Sequence, residues 1–152
     1  MRMSKMRKKT PKNIRRASRV AVQVAAAGAP PAALLRRYAR ETSRADITLR
    51  IVGRTESQKL NNRFRKKNYA TNVLSFPYGR GTGDIVMCHP VIVKEAREQG
   101  KTLRAHYAHL VVHGILHLRG HDHMRKDEAA RMERREIAIL RRLGFSDPYT
   151  VE

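Results

Sequence analysis

The sequence predicts an α/β domain of α+β layered type, with about four strands in a mixed sheet packed against about five helices. Three observations predict it. Apolar stretches with strand character recur through the first 88 residues. Segments of helical period lie between and after them, separated by Gly- or Pro-bearing breaks. At 152 residues the chain suffices for one domain with a substantial core, and no composition shift marks a second. Residues 20–152 are therefore read as one unit.

The elements follow in order. Val20–Ala27 is apolar, partly β-branched and closed by Gly-Ala-Pro-Pro, so it reads as a strand. A helix with Pro in its first turn follows from about Pro31 to Thr42. Asp46–Gly53 sets Ile47, Leu49 and Ile51 against Thr48 and Arg50, the period of a half-buried strand. Thr55 with Gln58 has the capping-box pattern and opens a short helix to about Phe64. Val73-Leu-Ser-Phe76 before Pro77 reads as a strand, Gly79–Gly83 as a flexible loop, and Asp84–Cys88 as a strand. A helix from Pro90 to Gln99 is ended by Gly100. A long helix spans Thr102–Leu118, and a last one runs from about Lys126 to Leu143. Met132, Ile137, Ile139, Leu140 and Leu143 are its expected buried side, and five arginines between Arg131 and Arg142 form a basic one.

The formal charge is +20, from 33 Lys and Arg against 13 Asp and Glu, far more than solubility needs. Such an excess predicts a polyanionic partner, most simply nucleic acid. No acidic residue precedes Glu41, and residues 1–19 carry nine Lys or Arg. That segment reads as a basic arm, disordered alone, that holds phosphates electrostatically. A mitochondrial presequence is the rival, but a clear amphipathic face is missing. No apolar run is long enough for a membrane span, and no signal peptide is evident, so a cytoplasmic protein with no membrane partner is expected. The lone Cys88 excludes an internal disulfide and fits a reducing compartment.

The chemistry concentrates in His113-Gly-Ile-Leu-His117-Leu-Arg-Gly120-His-Asp-His123. His113 and His117 are four apart, hence one turn apart on the same helix face. Gly120 can take the left-handed conformation that ends a helix, which allows His123 back over that face. Three neutral imidazoles suit one zinc ion per chain and leave a fourth position open. The spacing matches the H-E-x-x-H-x-x-G-x-x-H motif of zinc peptidases, but Gly114 stands where their general-base Glu would be. Peptidase chemistry is therefore disfavoured.

Four segments now appear together: Leu60-Asn-Asn-Arg-Phe-Arg65, Ala70-Thr-Asn-Val-Leu-Ser-Phe-Pro77, Gly83-Asp-Ile-Val86 and the histidine run. In this order they resemble the YbeY family of ribosomal RNA maturation factors, over about Ile47–Leu143. The resemblance implies a zinc-dependent, single-strand-specific endoribonuclease. It would act in small-subunit ribosomal RNA 3′-end processing and in ribosome quality control, with the small subunit or assembly factors as partners. It implies His113, His117 and His123 as zinc ligands and catalytic residues, with Arg65 on the family's functionally important arginine. His121 departs from the family, whose members commonly carry Tyr there.

The residue chemistry agrees with RNA cleavage. Arg65 can present a planar fork to two phosphate oxygens, and Lys66 and Lys67 extend the positive field. Asp122 can orient a ligating imidazole or cap the next helix. Asp84 can bond a ligand or, as the safer reading, the loop backbone. Helical period puts His109 on the face of His113, as support for the pocket and not as a ligand, while His89 beside Pro90 reads as a loop residue. Tyr69, Phe76 and Tyr78 are the nearest stacking platforms, and with no Trp in the chain binding should rest on phosphates and depend on salt. A non-enzymatic RNA-binding assembly factor with structural zinc is the alternative.

Overall fold

The structure, a computed structural model, describes residues 19–119 and 125–150. The basic arm up to residue 18, and Gly120, His121, Asp122 and His123, lie outside the described residues. The elements are β1 (Val20–Val24), α1 (Ala32–Thr42), β2 (Ile47–Val52), α2 (Arg54–Arg65), β3 (Val73–Gly79), β4 (Thr82–Cys88), α3 (His89–Glu98), α4 (Leu103–His117) and α5 (Lys126–Arg142). The four strands form one mixed sheet in the order β1-β2-β4-β3. β1, β2 and β4 are parallel, and β3 closes the edge as the antiparallel partner of β4. The four strands and five helices among the described residues are what the sequence predicts.

Strand alternation divides the core. Ile47, Leu49, Ile51, Ile85 and Met87 face one way, into a large cluster with residues of α1, α4 and α5. Val52, Val86, Cys88 and Leu74 face the other way, against Leu60 of α2 and Phe76. α4 and α2 therefore lie on opposite faces of the sheet. α4 is the central helix: Tyr107, Ala108, Val111 and Val112 are fully buried in it, and it packs on α1, α3, α5 and β3.

Several local features differ from expectation. Gly79–Gly83 is no flexible loop but a tight hairpin, with Arg80 and Gly81 alone between the strands. Both take positive φ, 57° and 74°, as a type I′ turn demands. β3 continues through Pro77, which an edge strand tolerates because the missing N–H costs no ladder bond on the free side. The capping box at Thr55 is not made: the N-cap is Gly53, two residues earlier, with no side-chain cap bond. The long helix is capped by Thr102, whose hydroxyl accepts from the Ala105 N–H at 3.1 Å.

Candidate metal centre

Why α4 can carry a site against the sheet is set by Gly114. A Cβ built there would lie 3.2 Å from Ile85 Cδ1 and 3.6 Å from Ser75 Oγ. The missing side chain lets α4 approach β3 and β4 closely, and position 114 points into the core. The likeness to the peptidase motif thus fails on direction as well as on residue type.

His113 and His117 flank that glycine and are half-buried. Their Nε2 atoms face each other at 2.8 Å, with ring centroids 4.3 Å apart. The other nitrogen of His113, Nδ1, is bonded to a carboxylate oxygen of Glu136 on α5. Glu136 is 1 % exposed, and its second oxygen accepts from the Tyr149 hydroxyl. The Tyr149 oxygen also lies 3.3 Å from His109 Nε2. A chain of polar contacts therefore runs His117–His113–Glu136–Tyr149–His109.

The electrostatics favour an ionised carboxylate at its centre. Burial alone would raise the Glu136 carboxyl, but hydrogen bonds from His113 and Tyr149 outweigh it and hold it below the ordinary carboxylate range. Burial together with the bond to Glu136 pushes the Tyr149 phenol up, so it stays a donor. Burial drives His109 down to about 4, only partly countered by Glu136, so it is neutral at pH 7.

This arrangement fits a cation. An anionic Glu136 needs a proton on His113 Nδ1, which leaves Nε2 of a neutral ring as a lone pair aimed at His117. Imidazole, imidazole and carboxylate donors also come together as His109, His113 and Glu136, whose ligand atoms all lie within 4.8 Å of one another. His109 adds a buried Nδ1 without a hydrogen-bond partner among the described residues. Sequence reasoning puts His109 beside His113 but misses Glu136 and Tyr149. Glu136 has a legible signal, a lone acid in the Met132, Glu136, Leu140 stripe of α5. Tyr149 has none, because it follows Pro148 beyond the last helix. Ile137, expected in the core, is only half-buried, and Glu136 takes its place on the inward face.

The other expected site residues are spread out. Arg65 ends α2, on the sheet face opposite α4. Lys66 caps that helix in the left-handed conformation, φ 60°, and the Lys67 N–H reaches back to Asn61 O at 3.3 Å. All three side chains are exposed. Asp84 does not serve a loop: it is buried within β4 and accepts a hydrogen bond from Tyr78. His89 starts α3 and meets the Tyr107 hydroxyl through Nδ1 at 2.7 Å. His123 and Asp122 lie outside the described residues.

A His-rich centre on the central helix of an α/β domain, with a buried carboxylate behind it and a strongly basic chain around it, defines an enzyme of the metal-dependent hydrolase class. The model for the family Endoribonuclease YbeY matches residues 8–144. Endoribonuclease YbeY of Polynucleobacter asymbioticus is 57 % identical over 107 residues, covering 68 % of this chain and 69 % of its own. The Aromatoleum aromaticum protein of that name is 51 % identical over 128 residues, covering 81 % and 83 %. A Thermotoga maritima protein solved in solution, TM1509, shares the fold at TM-score 0.56 and 23 % identity, over 88 % of this chain and all of its own. The chain belongs to the YbeY endoribonuclease family.

Proposed function

We propose that this protein is a zinc-dependent, single-strand-specific endoribonuclease that matures ribosomal RNA. By the family resemblance it acts at the small-subunit 3′ end and in ribosome quality control, in the cytoplasm, on RNA presented by the small subunit or its assembly factors. No described helix is long and apolar enough to cross a membrane. The observation that carries the reading is the convergence of His113 Nε2 and His117 Nε2 with Glu136 behind His113.

In this reading one zinc is held by Nε2 of His113 and of His117, with His123 as third ligand. Glu136 is then the carboxylate that fixes the His113 tautomer, and Asp122 could do the same for another ligand. Direct ligation by Glu136 with His109 and His113 is the competing use of the same groups. The first is preferred because both Glu136 oxygens are engaged, by His113 and Tyr149, while the two Nε2 atoms face each other directly. When bound, the ion supplies Lewis acidity toward a phosphoryl oxygen. Glu136 keeps the His113 ring from rotating, and the buried face of α4 keeps both imidazoles on one turn. Arg65, Lys66 and Lys67 bind phosphates of a strand laid across the free edge of β3, because α2 and α4 stand on either side of it.

The test is His117→Ala in the full chain. It should lose both the metal and cleavage of single-stranded RNA. Full cleavage by a metal-free variant, or cleavage of peptides with none of RNA, would overturn the proposal.

A further inference from the structure

We propose that the groove between the β3–β4 turn and the C-terminal end of α4 is a subsite for the backbone of the RNA strand, with Arg80 and Arg119 as its phosphate-binding residues. This rests on the RNA reading above and extends it to a surface formed by the β3–β4 turn and the residues after His117.

The groove has a volume of about 600 Å³. Its walls are Ser43 and Ala45 from the connection of α1 to β2, Pro77 and Arg80 from the hairpin, and Leu118 and Arg119 after α4. Leu118 and Arg119, which line it, directly follow His117 in sequence. Among the described residues, both charged side chains that line it are arginines. The C-terminal end of a helix offers carbonyls and a negative dipole, which repel an anion. Phosphate binding here depends on the guanidiniums and not on a backbone nest.

The turn supplies the second observation. Arg80 occupies a left-handed position, φ 57°, where Asn or Gly is the low-energy choice. An arginine there carries backbone strain, because its Cβ crowds the following carbonyl. Nothing in the packing needs it, since its side chain is exposed. The strained residue is thus one that the fold could replace easily and that lines the groove with a fork suited to phosphate. The Arg119 stem packs near Gly81, the residue next to Arg80 in the turn, where a Cβ would lie 3.8 Å from Arg119 Cγ. The two cations therefore meet where the turn approaches the end of α4.

The experiment uses the full metal-loaded chain and a single-stranded RNA oligonucleotide. KM, kcat and the salt dependence of binding are measured for wild type, Arg80→Asn, Arg119→Gln and, as a charge control on α3, Arg97→Gln. Asn suits the turn, so Arg80→Asn should melt at the wild-type temperature or above it. Each groove variant should raise KM about three- to fivefold with little change in kcat at saturating RNA. Each should also flatten the slope of log K against log salt by about 0.7, one phosphate contact on a single strand. Arg97→Gln should change each readout clearly less. Unchanged KM and slope in both groove variants, with wild type cleaving normally, overturns the subsite and leaves the proposed function standing. An equal loss in Arg97→Gln also overturns it, by showing bulk charge alone. A wild type that neither binds nor cleaves the oligonucleotide overturns both.

Discussion

Glu136, almost completely buried on α5, bonds Nδ1 of His113 on α4. The carboxylate sits 23 residues away in sequence and fixes which nitrogen of that ring carries the proton. The ring's second nitrogen, Nε2, is thereby turned toward His117.

Glu136→Gln tests that relationship. An amide can still face Nδ1 but no longer offers charge, so metal affinity should fall about 10- to 100-fold without being abolished. Tyr149→Phe removes the hydroxyl on the other oxygen and should have a smaller effect in the same direction. His117→Ala should lose binding outright. Titration of the three variants with zinc under a competing chelator checks the order. Loss of all binding in Glu136→Gln, with retention in His117→Ala, would move the ion to the His109–His113–Glu136 group.

Gly114 separates packing from chemistry. Gly114→Ala gains about 1 kcal/mol of helix propensity but sets a methyl 3.2 Å from a movable Ile85 terminus, so net stability should change by less than about 1 kcal/mol. Gly114→Glu, which would complete the peptidase motif, instead drives a carboxylate into the core. It should destabilise by about 3 kcal/mol or more and confer no peptidase activity. Urea unfolding and a peptide-cleavage assay decide; a stable, peptidase-active Gly114→Glu would contradict the geometry.

Gly83 ties the end of α4 to the hairpin. A Cβ there would lie 2.5 Å from the Phe76 carbonyl oxygen and 2.7 Å from Leu118 Cδ2. The side-chain contact could yield, but the backbone one cannot. Gly83→Ala should cost about 3 kcal/mol and weaken metal binding too, because Leu118 follows His117 directly. Thermal melting with a parallel zinc titration reads both effects.

Removing the metal distinguishes a catalytic ion from a structural one. The core around α4 is apolar and continuous without any ligand, from Leu35 on α1 through Leu49 and Ile85 on the sheet to Leu140 on α5. Chelation should therefore abolish RNA cleavage while the far-ultraviolet circular dichroism and the cooperativity of melting persist, with a lower melting temperature. Unfolding on chelation would instead favour the non-enzymatic assembly factor with structural zinc.

Much of the fold is legible because strand and helix periods are strong in this chain. Ile47, Leu49 and Ile51 share one face as the sequence suggests, but β2 is not half-buried, because the other face is covered too and Thr48 and Val52 are buried. The Gly79–Gly83 segment reads as a loop because glycines mark a tight turn and a flexible loop alike. Only the pairing of Phe76 with Asp84 and Pro77 with Gly83 separates the two. In the site, the shared face of His113, His117 and His109 follows from helical spacing. Glu136 and Tyr149 reach them by tertiary packing of α5 and the chain after it, which spacing within α4 does not encode.

The most direct measurement is an anomalous difference map at the zinc edge, from crystals of the full chain grown with zinc. One peak per chain is expected, within about 2.1 Å of Nε2 of both His113 and His117, with Glu136 still on Nδ1 of His113. A peak ligated by Glu136 and His109, or His113 and His117 rings turned apart with no peak between them, would contradict it.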